Sequence, residues 1–134
     1  MSARYRARRR ALELLFESEA RNLPEAELIK LRENDEEYPL RPYAREIVDG
    51  VVTHRAQLDE LISTYAHGWT LETMPRVDRA VLRIGLWEIL YNDDVDDPVA
   101  IDEAVTLAKE YSTDDSPAFV NALLDRISKL KDTL

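Results

Sequence analysis

The chain has no cysteine and, among its 134 residues, only three glycines, two methionines, two tryptophans and two phenylalanines. Without cysteine there is no disulfide, thiolate nucleophile, zinc ribbon or iron–sulfur ligation, and folding needs no oxidising compartment. Gly50, Gly68 and Gly85 stand far apart, so no glycine-rich loop cradles a phosphate, and P-loop and dinucleotide fingerprints are missing. No apolar run approaches the roughly 20 residues of a membrane-spanning helix. Glu13, Glu17 and Glu19 interrupt Ala11 to Ala20, which excludes a secretory apolar region. His54 and His67 lie thirteen residues apart, each without a carboxylate at ligand spacing. These absences lead us to expect a cytoplasmic protein with no membrane association, no catalytic residues, no metal and no cofactor.

At 45% apolar and 34% charged, the sequence fits one folded domain over residues 1–134. Eighteen Lys plus Arg against 27 Asp plus Glu give a net charge of −9, which taken whole argues against nucleic acid. The charge is segregated, however. Arg4, Arg6, Arg8, Arg9 and Arg10 crowd an N-terminal arm at 1–10 that holds no acid, so the remaining 124 residues carry −14. If the arm is helical, each arginine sits where the macrodipole is already positive, at a cost of about 0.3–1 kcal/mol unless an anion is bound. Arg9 precedes Glu13 by one turn, but arginine before glutamate is the weaker orientation of such a pair. Guanidinium forks match phosphate oxygens and stack on bases, which suits flexible single-stranded RNA, and no helix-turn-helix pattern is visible. A solubilising, frayed terminus is the plainer reading of the same residues.

Prolines punctuate a string of helices. The first is expected over Ala3 to Ala20, with Leu12, Leu15 and Phe16 on one face. Pro24 opens a shorter helix through Leu28 and Leu31, followed by a loop over Asn34-Asp35-Glu36-Glu37 up to Pro39. From Pro42, one apolar set runs through Val52 and a second through Tyr65, as two consecutive helices or one bent helix. After a connection from Gly68 to Pro75, Val77 to Leu90 form a helix apolar nearly all round, which belongs at the centre. Asp97 is expected to cap a helix through Tyr111, and Ser116 to cap a last one through Leu130. Within the central helix, Arg83 and Glu88 read as ion-paired structural residues. No stretch alternates with period two, so the expected fold is all-α, with about six or seven helices. The segment Asn92 to Glu103 superficially matches a calcium loop, but Asp97 stands where the turn requires Gly and Pro98 starts a helix too early. A capped interhelical turn is expected there.

The sequence resembles the NusB family of bacterial transcription antitermination factors. The resemblance runs from about Arg4 to Ile127. It rests on the arginine-rich start leading into Ala11 to Phe16, the block Val77-Asp78-Arg79-Ala80-Val81-Leu82-Arg83-Ile84-Gly85-Leu86-Trp87-Glu88-Ile89-Leu90, the block Val99 to Lys109, and Phe119-Val120-Asn121 before Leu123-Leu124-Asp125. It implies two packed helical subdomains and a non-enzymatic role. With the ribosomal small-subunit protein NusE, the family binds boxA RNA and helps RNA polymerase resist termination across ribosomal RNA operons.

By this resemblance, the RNA-binding residues are Arg4, Arg6 and Arg8, joined by Arg9 and Arg10 of the same cluster, together with Phe119 and Asn121. The NusE contacts are Phe16, Asp78 and Asp115. Phe16 replaces a tyrosine of some relatives, Asp78 shortens a glutamate, Pro117-Ala118 stands where a basic residue adds an RNA contact, and Ala122 stands where glycine is usual. Phe119 has two readings, as the start of a buried stripe or as an RNA-facing ring, and Phe16 sits in sequence where a core residue would. Two alternatives stand beside the antitermination reading. One is the RNA-guiding part of a ribosomal RNA cytosine methyltransferase, which would need a catalytic domain after Leu134. The other is a protein-interaction or self-assembling module without specific RNA binding. Monomer and homodimer are both open.

Overall fold

A computed structural model describes residues 2–37 and 39–134. Met1, the first position of the expected arm, and Tyr38, in the expected loop, lie outside the described residues. Six α-helices follow in order: α1 (Ala3–Ala20), α2 (Glu25–Arg32), α3 (Pro42–Tyr65), α4 (Arg76–Tyr91), α5 (Asp97–Tyr111) and α6 (Ser116–Leu130), with a terminal 3-10 turn at Lys131–Thr133. There is no strand among the described residues, and the all-α expectation is met. The chain divides into two compact units, the first ending at Thr53 and the second running from His54 to Leu134.

In the first unit, the Ser2 hydroxyl accepts the Tyr5 amide at 3.0 Å and starts α1. Asn22, at φ 51°, ends the helix in the left-handed conformation that asparagine tolerates, and the Leu23 amide returns to the Ser18 carbonyl at 2.9 Å. Glu17 ties α1 to α2, accepting from Arg21 at 2.8 Å and from Arg32 of α2. Hydrogen bonds from those guanidinium groups, Arg21 first, hold the Glu17 carboxyl below its ordinary value of 4.5, against a smaller opposing effect of burial. Leu12, Leu14, Leu15, Leu28, Ala44, Ile47, Val48 and Val51 are buried. The two apolar sets of 42–65 form one helix, since Gly50 and the His54-Arg55 pair do not interrupt it.

In the second unit, α4, α5 and α6 pack on one another, and α4 buries ten of its sixteen residues. Gly85 permits this closeness: a Cβ there would meet Leu124 Cδ1 at 2.8 Å and Ala104 Cβ at 3.4 Å. Arg83 reaches Asp59 of α3 through both Nε at 2.7 Å and Nη2 at 3.0 Å. The expected ion-paired role of Arg83 is thus seen directly, and Glu88 is buried. Both cap expectations shift by one residue. Asp96 takes the N-cap position of α5 and Asp115 that of α6, neither with a side-chain cap bond, and Asp97 and Ser116 begin their helices. Both displaced residues are engaged elsewhere. Asp97 binds Ser128 at 2.6 Å and Lys131 at 2.9 Å, and Ser116 binds Asp78. In the calcium-like segment, the Asn92 side chain accepts the Asp94 amide at 3.0 Å, forming a closed turn. Among the described residues, no cluster of His, Asp and Glu is arranged to hold a metal ion, and no helix is long and apolar enough to cross a membrane.

Candidate functional site

The five arginines occupy the first two and a half turns of α1 without acidic residues in the first turn. They do not share one face. At about 100° per residue, Arg6, Arg9 and Arg10 gather with Glu13 on one side of the helix, while Arg8 points with the buried Leu12 and Leu15. Arg4 and Arg6 are exposed, Arg9 and Arg10 half-buried, and Arg8 is only 2% exposed. Arg8, expected among the RNA contacts, thus lies inside the first unit and not on its surface. Its guanidinium lies 6.0 Å from the centre of the Tyr43 ring, and that of Arg4 lies 5.4 Å from the same ring. A buried arginine against an aromatic face braces α1 on α3 and fixes where the neighbouring arginines stand.

Beside this brace lies a cleft of about 640 Å³, lined by Arg4, Arg6, Arg9, Arg10 and Arg41, with Glu13 and Glu37 as its acids and Tyr43 in its wall. Arg10 pairs with Glu13 at 3.6 Å. Arg9, half-buried, has no ion-pair partner among the described residues. Five guanidinium groups against two carboxylates make a cationic hollow suited to an extended polyanion. Sequence reasoning placed Tyr43 in an apolar stripe and passed over Arg41, because both lie more than thirty residues from the arginine cluster that they join.

The second unit is strongly acidic: residues 54–134 hold eight Lys and Arg against sixteen Asp and Glu. Asp78, expected among the partner contacts, is 2% exposed at the start of α4. One carboxylate oxygen accepts the Ser112 hydroxyl at 2.5 Å and the other the Ser116 hydroxyl at 2.9 Å. Ser116 Oγ also lies 2.8 Å from Thr113 Oγ1 and accepts the Thr113 amide at 3.3 Å. This network holds the α5–α6 connection, at whose end Asp115 is exposed as expected. Asp78 positions the loop, and Asp115 presents its charge.

Phe119 is half-buried on α6, its ring centroid 6.2 Å from that of Trp69 and the two planes at 54°. Asn121 is exposed. Two helical steps separate it from Phe119 by about 200°, so they face different directions, although they are adjacent in the motif. Phe16, 39% exposed on α1, is no core residue, which leaves its ring available to a partner.

A model of the NusB family matches residues 5–129. The chain belongs to the NusB family. The transcription antitermination protein NusB of an Arthrobacter species is 55% identical over 134 residues, covering 100% of this chain and 98% of that protein. Among solved structures, NusB of T. maritima matches with a TM-score of 0.84 at 36% identity, over 96% of this chain and 92% of that one. A chain from a crystal structure of the antitermination factors NusB and NusE in complex with dsRNA matches with a TM-score of 0.81 at 26% identity, over 96% and 98%. The family membership and the helical NusB fold agree with the resemblance read from the arginine-rich start and the three later blocks.

Proposed function

We propose that this chain is a non-catalytic, cytoplasmic transcription antitermination factor that holds boxA-type RNA together with the ribosomal protein NusE within the antitermination complex of RNA polymerase. The observation that carries this reading is the arginine-lined cleft of α1 in a member of the NusB family. Arg4, Arg6, Arg9 and Arg10 supply the phosphate contacts, with Arg8 as their brace. Phe119 and Asn121 contribute base contacts from α6. Phe16 and Asp115 meet the basic partner, and Asp78 fixes the loop that carries Asp115.

The division of charge supports a two-partner role, because RNA phosphates seek guanidinium groups while a basic ribosomal protein seeks the acidic unit. Neutralising four phosphates of a single strand, one for each of these arginines, gives a slope of about −3 in log affinity against log salt, at roughly 0.7 per contact. Binding by this chain alone is accordingly modest and salt-sensitive, and the partner adds affinity.

Fluorescence anisotropy with a labelled boxA-type single strand, a scrambled strand and a duplex, with and without NusE, tests the proposal. The expected result is preference for the boxA-type strand, strengthened by NusE and weakened in the Arg4/Arg6/Arg9→Ala variant. Equal binding to all three RNAs, or no loss in the variant, overturns it.

A further inference from the structure

We propose that Trp69 and Phe119 form a stacking platform for one unpaired RNA base, with Trp69 as the exposed face. This rests on the RNA-binding reading above and adds a residue outside the N-terminal cluster. Trp69 is 46% exposed, an unusual state for the largest apolar side chain, whereas the other tryptophan, Trp87, is 5% exposed in the core. The indole does not dangle. Gly68 turns the backbone at φ 84°, with open space where a Cβ would stand, and the Trp69 amide donates to the Ala66 carbonyl at 3.2 Å.

Immediately after Trp69, Thr70 and Thr73 exchange amide-to-hydroxyl bonds of 3.0 and 3.2 Å. Arg79 of α4 donates to the Leu71 carbonyl at 2.6 Å and ties that loop down. Phe119 then meets the indole ring at 6.2 Å and 54°, within the range of a favourable aromatic pair. A rigid loop thus spends an exposed aromatic ring where a polar residue would serve solubility.

A base is the occupant that continuity favours, because Phe119 is the ring to which the reading above gives a base contact. Arg126 lies seven residues after Phe119 on the same stripe of α6 and donates to the Tyr65 carbonyl at 2.6 Å, at the root of the Trp69 loop. Its partner is a neutral carbonyl, and it has no ion pair among the described residues, which leaves a cation two helical turns along α6 from Phe119. An exposed aromatic face with a guanidinium two turns away suits a nucleotide, whose base stacks while a neighbouring phosphate reaches the cation.

The test uses the full chain, a short boxA-type single-stranded RNA, and the variants Trp69→Ala and Trp69→Phe. Losing one base–aromatic stack weakens binding by about 5- to 150-fold. Trp69→Ala is expected to show that loss with an unchanged salt slope, because no phosphate contact is removed. Trp69→Phe is expected to recover most of it.

In the native chain, RNA should quench tryptophan emission and shield it from acrylamide, a signal that disappears in Trp69→Phe because Trp87 is buried. Replacing successive nucleotides with abasic ones should reveal one position at which native and Trp69→Ala proteins bind alike. Native binding with no change in Trp69→Ala and no quenching overturns the platform while leaving the RNA-binding reading intact. A Trp69→Ala defect confined to NusE binding overturns it also, in favour of a protein contact. Absence of RNA binding by the native chain, with and without NusE, refutes the underlying reading itself.

Discussion

Asp78→Asn separates a buried positioning residue from a contact residue at nearly constant shape. The carboxylate accepts two hydroxyls, Ser112 at 2.5 Å and Ser116 at 2.9 Å. Charge-assisted hydrogen bonds contribute about 1.5–3 kcal/mol each, against about 0.5–1.5 for neutral ones. An asparagine offers one acceptor oxygen, and its amide must donate to a serine. Ser116 Oγ is already occupied by Thr113. Losing the negative charge in the first turn of α4 costs a further 0.3–1 kcal/mol or so. The neutral amide is cheaper to bury than the carboxylate, which offsets part of the loss.

The balance is a destabilisation of about 1–3 kcal/mol. Urea unfolding followed by the emission of buried Trp87 reads it in the unit concerned. Native stability or better in Asp78→Asn would refute the network as a stabilising device. Partner binding supplies the second readout. Ser116→Ala leaves Asp78 in place yet loosens the same loop, so it should weaken NusE binding in parallel with Asp78→Asn. If Ser116→Ala spared the complex while Asp78→Asn did not, Asp78 would be acting on the partner directly.

Three further outcomes follow from the same geometry. Glu17 has a folded-state carboxyl held below 4.5, so its contribution is present above the unfolded value and lost as pH falls through the lower folded one. Glu17→Gln should therefore cost about 0.3–1 kcal/mol at neutral pH, as expected of a partly exposed pair, and nothing at a pH where the carboxyl is protonated in both states. Urea titrations at the two pH values check this. Gly85→Ala gains about 1 kcal/mol of helix propensity but forces a methyl to 2.8 Å from Leu124, at about 1–3 kcal/mol. A net loss near 1 kcal/mol is expected, and a Leu124→Ala background should remove it. Arg8→Ala should destabilise the fold by about 1–3 kcal/mol through loss of a buried guanidinium from Tyr43, whereas Arg9→Ala should stay within about 0.5 kcal/mol of native in thermal unfolding.

The helices were legible because prolines and apolar spacing act locally. The span of α1, Ala3–Ala20, was legible in the spacing of Leu12, Leu15 and Phe16, whereas the Ser2 cap that starts it was not noticed. The starts of α5 and α6 slipped by one residue because Asp97 and Ser116 are engaged by distant side chains, Lys131 and Asp78, which local cap rules do not see. The arginine cluster was legible as an electrostatic feature, but its division was not. Arg8 turns inward because Tyr43 offers an aromatic face thirty-five positions later. Phe16 and Phe119 posed the same difficulty in opposite directions, since apolar residues on amphipathic helices read alike whether they pack or project. Trp69 drew no notice in a connecting segment, and only its ring contact with Phe119 gives it a role.

The central claim is that the α1 arginines hold RNA through its phosphates. The most direct measurement is the affinity for a boxA-type single strand across a salt series, for the native chain and for Arg9→Ala. The expected native slope is near −3 in log affinity against log salt, about 0.7 for each of the four arginines, made shallower by about 0.7 in Arg9→Ala. A native slope near zero, or identical slopes for the two proteins with undiminished affinity, would contradict it.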